Sequence, residues 1–188
     1  MPFGRIAPVR RSLLARTGYT PDMRYLVRER VFGIGEDFWV EDEDGERAFL
    51  VDGKALRLRE TFELKDRAGN VLAVVRKKAV SLRDTMRVER DGEVMVTVRE
   101  KRFTPMRKVY RAELATGEEL EIRGDLVGKE YDIEHDGRRL ARVSRKWFRV
   151  RDAYAVDVEQ PDADPVMLIA IAVCVDRLME SEDDGTLE

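Results

Sequence analysis

The 188 residues contain one cysteine and one histidine, so the side chains most used in disulfides, metal centres and nucleophilic catalysis are almost missing. Cys174 has no second thiol to bond, and His135 alone cannot anchor a zinc site, which excludes a disulfide-built secreted scaffold and points to a reducing compartment, the cytoplasm. A serine or cysteine triad lacks its parts. Ser12, Ser81, Ser144 and Ser181 lie in no nucleophile-elbow context, and His135, beside Asp136-Gly137, reads as an exposed turn residue rather than a base. Cys174 falls inside an apolar run, where cysteine behaves as a small hydrophobe. No G-x-G-x-x-G, Walker sequence or paired C-x-x-C occurs, so no nucleotide or metal cofactor is implied. Carboxylate pairs are so frequent in this chain that none stands out as a catalytic dyad. The expectation is a protein without catalytic residues, not an enzyme.

A large charge of one sign is missing too. The 35 basic and 38 acidic residues leave −3, which predicts no bulk attraction to nucleic acid or to a membrane, so any anion site must come from local clustering. Near the N-terminus the longest apolar stretch is Ser12 to Ala15, far short of a signal-peptide core. Residues 1–22 carry Arg5, Arg10, Arg11 and Arg16 with no acid before Asp22, and Pro2, Pro8 and Pro21 break them up. They read as a disordered basic arm, with Met23 as an alternative natural start, or else as an arm that touches an anionic partner. At 43% hydrophobic and 39% charged, the rest suits one folded domain with a densely charged exterior.

From about Glu36 to Glu159 the pattern is of short alternating segments between turn dipeptides, the mark of antiparallel strands. The clearest runs from Leu56 to Leu64. There Leu56, Leu58, Phe62 and Leu64 share one face, and Arg57, Arg59, Thr61 and Glu63 share the other. The same period recurs in Phe38/Val40, Phe49/Val51, Met86/Val88, Val94/Val96/Val98, Leu120/Ile122, Tyr131/Ile133 and Tyr154/Val156/Val158. Turns are expected at Asp44-Gly45, Asp52-Gly53, Gly69-Asn70, Asp91-Gly92, Thr116-Gly117 and Asp136-Gly137. Roughly ten or more strands spaced in this way indicate a sandwich or barrel.

One long apolar run does exist. After Asp164 as cap and Pro165 in the first turn, Val166 to Val175 gives ten residues without a charge. A helix apolar all round needs apolar surroundings on every side. Ten residues rise only about 15 Å against a bilayer core of about 30 Å, so burial within the strands fits and a membrane span does not. Asp176 and Arg177 mark where this helix leaves the core, and Glu180 to Glu188 reads as a frayed acidic tail.

The order of these elements, with Met23 to Phe32 (MRYLVRERVF), Gly124 to Ile133 (GDLVGKEYDI), Ala141 to Phe148 (ARVSRKWF), Asp152 to Val158 (DAYAVDV) and Leu168 to Asp176 (LIAIAVCVD), resembles the LURP-one-related family. The resemblance runs from residue 23 to 176. It implies a closed antiparallel barrel of about twelve strands around the apolar C-terminal helix, the tubby-like fold, and kinship with phospholipid scramblases. It implies no enzyme and carries over no site residue. The domain layout expected is an arm over 1–22, a barrel domain over 23–179 and a tail over 180–188.

Basic residues cluster in three runs: Arg76, Lys77 and Lys78; Lys101 and Arg102 with Arg107, Lys108 and Arg111; and Arg145 and Lys146 with Arg149 and Arg151. Such runs are ordinarily a solvated face. Brought together by strand ends they would instead form a patch for a phospholipid head group or another polyanion, since lysine offers phosphate a point charge and arginine a planar fork. The expectation is a binding module peripheral to a membrane. The alternatives are a structural or protein-interaction domain, or a scramblase-like protein, for which the Glu41-Asp42-Glu43-Asp44 run falls short of a calcium loop. Trp39 and Trp147, beside strand-like segments, read as packing residues, and Arg123-Gly124-Asp125 as a turn rather than an adhesion signal.

Overall fold

The computed structural model describes residues 23–28, 37–53, 61–78, 84–101, 109–145 and 153–184. Its strands are β1 (Met23–Arg28), β2 (Phe38–Glu41), β3 (Arg47–Gly53), β4 (Thr61–Lys65), β5 (Val71–Lys77) and β6 (Thr85–Arg90). They continue with β7 (Glu93–Glu100), β8 (Tyr110–Leu114), β9 (Glu119–Asp125), β10 (Glu130–His135), β11 (Arg138–Ser144) and β12 (Ala153–Val158), before the helix α1 (Pro165–Asp184). Each strand pairs antiparallel with the next, and β1 closes the ring against β12, with Tyr25 opposite Val156 and Val27 opposite Tyr154. The result is a closed twelve-stranded antiparallel barrel, and closure leaves no edge strand to be covered.

Alternation decides what lies inside. Val75 faces Val88, Val88 faces Val96, and Val96 faces Leu114 across successive ladders, and all four are buried. Their neighbours on the other face carry the charge. On that outer wall Arg76 meets Glu89, Arg99 meets Glu113, Arg111 meets Glu119 and Arg142 meets Asp132 across adjacent strands. This lacing sets charges of opposite sign beside one another on the densely charged exterior. Each such exposed pair contributes only about 0.2–1 kcal/mol.

The two ends of the barrel differ. Every even-numbered strand from β2 to β10 turns into the next through two to five residues, at what we call the short-turn end. Two of these turns, Asp91-Gly92 and Asp136-Gly137, have positive φ at both central residues (53° and 83°, 49° and 75°), the geometry that matches strand twist in a two-residue hairpin. Every odd-numbered strand ends at the opposite rim. There the connections run from four to nine residues, which makes it the long-link end.

The helix enters from the short-turn end, where Asp164 Oδ1 accepts from the Met167 amide at 3.2 Å, and runs towards the long-link end. Residues from Leu168 to Val175 are all essentially buried, as their unbroken apolarity requires. Beyond them the structure departs from the sequence reading. Asp176 does not mark an exit: it is buried and 3.3 Å from Lys129 Nζ, and Leu178 is buried after it. The helix continues to Asp184, into the segment read as a frayed tail. No described helix is long and apolar enough to cross a membrane.

Asp52-Gly53 is not a turn but the end of β3, where Gly53 pairs with Phe62 and Asp52 takes an ion pair from Lys65. Within the expected strand Leu56 to Leu64 only β4 falls among the described residues. Leu64 is buried as expected, but Thr61, assigned by alternation to the solvent face, is buried too. His135 is the last residue of β10, and its side chain is only 12% exposed. The arm over 1–22 and Trp147 lie outside the described residues.

Candidate anion-docking rim

Because odd-numbered strands all end at the long-link end, β5, β7 and β11 deliver their C-termini to one rim. Arg76 and Lys77 close β5, with Lys78 next to them; Lys101 follows β7; and Arg145 follows β11. Only β6 separates β5 from β7, so their ends stand about 10 Å apart at the usual strand spacing. Six steps around the ring separate β5 from β11, which puts Arg145 across the barrel mouth from Lys77. Arg102, Arg107, Lys108 and Lys146, with Arg149 and Arg151, lie outside the described residues.

Sharing a rim does not make these cations a bare patch. Arg76 Nε is 3.3 Å from Glu89, Lys77 Nζ is 3.2 Å from Asp84, and Lys101 Nζ is 3.0 Å from Glu121. Lys78 is exposed and makes no ion pair among the described residues. The carboxyl of Glu121 is held below its ordinary value, first by the hydrogen bond from Lys101 and then by the nearby Arg123 and Arg111 charges. It therefore stays ionised to lower pH than an ordinary glutamate, and Lys101 loses this partner only as the pH falls through that depressed value. The stability that Glu121 contributes follows the same sign: present above its unfolded pKa, lost through the folded one. The sequence did not reveal these acids as partners. The Lys101–Glu121 contact needs the β7-β8-β9 register, which residue types do not supply.

Beneath this rim lies a buried polar group. Lys129, in the turn between β9 and β10, reaches inward to Asp176 and lies 4.8 Å over the Tyr154 ring. Arg177 lies 4.6 Å over Phe62 at the start of β4. Next to β11, Glu130 accepts from the Ser144 hydroxyl at 2.9 Å and from the Arg145 amide at 2.9 Å, so Ser144 is a structural donor. Burial pushes the Cys174 thiol far up, with Asp176 adding to the effect, so it is held as an unreactive neutral thiol. Gly124 of the Arg-Gly-Asp string is not at a turn but near the end of β9, opposite Tyr131. At φ 143° any Cβ there would collide with the Glu130 carbonyl and Tyr131. Asp42, in the acidic run, accepts from the Asp44 and Glu46 amides and so closes its own hairpin. Trp39 faces outward under the Arg47 guanidinium, 4.7 Å away. Among the described residues no group of three or more His, Cys, Asp or Glu is placed to hold a metal ion.

A closed twelve-stranded antiparallel barrel threaded by one apolar helix fits the tubby-like class of folds. The chain belongs to the LURP-one-related family, whose sequence model matches residues 23–176. Among solved structures it is similar to a protein of Arabidopsis thaliana known from X-ray diffraction. The TM-score is 0.63 and the identity 16%, over 84% of this chain and 92% of that one, a likeness of fold alone. No curated protein matches the sequence.

Proposed function

We propose that the chain is a non-enzymatic docking module that engages an anionic ligand, a phospholipid head group, at the long-link rim, working in the cytoplasm at a membrane surface. The observation that carries this reading is topological. Three separate basic runs all adjoin strands that end at the same end of the barrel, two of them on neighbouring strands of like direction. The facing carboxylates do not forbid it, because exposed pairs are weak and a multivalent phosphate surface can exchange for them. They do favour a second reading, an interaction domain whose rim charges are already balanced and serve solubility.

Co-sedimentation separates the two. Vesicles of phosphatidylcholine alone should not retain the protein, whereas vesicles containing phosphatidylserine or a phosphoinositide should, at low salt and progressively less towards 150 mM, where charges are screened over about 8 Å. Charge reversal of Lys77, Lys78, Lys101 and Lys108 to glutamate should abolish retention in a chain that still unfolds cooperatively, a few degrees lower because Lys77 and Lys101 face Asp84 and Glu121. Glu89→Gln, which frees Arg76, should tighten it by about fivefold, the worth of one cation at about 1 kcal/mol near an acidic surface, and Glu121→Gln, which frees both Lys101 and Arg123, by at least as much. If wild type ignores anionic vesicles at low salt, or the two carboxylate variants bind no better, the balanced interaction domain is the better account.

A further inference from the structure

The helix does not fill the barrel evenly. Its backbone lies nearest β5, β6, β7 and β12, leaving space against the β8–β9 side near the short-turn end. A cleft of about 300 Å³ occupies that space. Its floor is apolar, made by the buried Leu120, Leu168 and Ile171, and half-buried Met95 and Met167 line the way in with Val94, which is 38% exposed. Protein interiors are normally close-packed, and a gap forfeits the dispersion contacts of its walls. Water is a poor filler here, because an ordered water needs two to four polar partners and this floor offers none.

The charges around the cleft define what could enter. Arg90 is committed: its Nη1 is 2.8 Å from Asp164 and its Nε donates to the Leu72 carbonyl at 3.2 Å. Asp164 is committed in turn to Arg90 and to the Met167 amide. Glu93, also lining the cleft, is exposed and makes no ion pair among the described residues. Two carboxylates against one engaged guanidinium leave the lining negative, which opposes a fatty acid and suits a cation. From Asp164 to Ile171 the helix rises about 10 Å. An apolar cavity of about 150 Å³, half this size, already holds benzene, so there is room for one unbranched chain of roughly eight carbons.

We propose that this cleft binds a slim alkylammonium, its hydrocarbon chain against Leu120, Leu168 and Ile171 and its cationic head at Glu93. The site lies at the opposite end from the anion-docking rim and does not depend on it. Calorimetric titration of the full chain with octylammonium, octanol and octanoate, each below its aggregation threshold, tests it. Octylammonium should bind saturably at one per chain and at least tenfold tighter than octanoate, with octanol between. Glu93→Gln should lower octylammonium to the affinity of octanol and leave octanol unchanged. Val94→Trp, at an exposed position of the lining, should abolish binding of all three while the protein melts as wild type; Thr116→Trp, from another part of the lining, is the second blocking variant should the first fail to fold. Saturable binding by none of the three, a preference for octanoate, or binding that survives the folded blocking variant would overturn the proposal.

Discussion

Lys129 combines an uncommon backbone with a buried charge. It takes a left-handed φ of 52° in the turn after β9, and its ammonium meets the Asp176 carboxylate where both side chains are largely shielded from water. A buried pair contributes little net stability, but removing one partner takes from the other the countercharge it is buried against, at a cost of up to about 3–5 kcal/mol. Lys129→Met should therefore destabilise by that amount in urea unfolding, and Lys129→Met with Asp176→Leu should recover most of it. A single variant within about 1 kcal/mol of wild type would show that the Lys129 ammonium is not what keeps Asp176 buried. None of this was legible in the sequence. Asp176 looked like the point where the helix leaves the core, because a charge ending an apolar run has that meaning unless a partner from another element reaches in. The lysine that does so comes from far upstream, brought there only by the closed ring.

Elements were more legible than residues. Val166 to Val175 declared a helix buried on all sides by ten uncharged residues, and it is buried there except at Met167, which is half-buried beside the cleft. Its end was misplaced because the interior extends another turn, to Leu178. The Asp-Gly pairs at 44–45, 91–92 and 136–137 mark hairpins, but Asp52-Gly53 does not. Its carboxylate is occupied by Lys65, and the Gly53 amide by Asp37 at 3.3 Å, so the dipeptide stays extended. At the other end of the core, Asp164 both caps α1 and pairs with Arg90. Asp164→Ala should cost about 1–2 kcal/mol, and Asp164→Asn, which keeps a capping oxygen and loses only the ion pair, clearly less. Chemical denaturation of the two variants checks this. Equal losses would mean that the ion pair, not the cap, secures the helix start.

At the scale of the whole molecule, binary pattern and turn chemistry were enough to indicate a sandwich or barrel around a buried helix, because inward and outward positions alternate along strands such as β2, β5, β7 and β8; the closed ring was what the family resemblance implied. The candidate rim was legible only as three basic runs. That β5, β7 and β11 all end at one rim follows from strand direction, whereas the acids opposite the described cations follow from register. One core serves the entire ring: strands as distant in sequence as β5 and β12 pack on the same helix. Ile169, fully buried in that helix, is therefore the most direct test of the account. An aspartate there would be taken from water without a partner, at several kcal/mol against a total stability of about 5–15. Thermal unfolding of Ile169→Asp should show a chain that is unfolded or has lost tens of degrees of melting temperature. A soluble protein melting cooperatively at the wild-type temperature would contradict the claim that α1 is the core of the barrel.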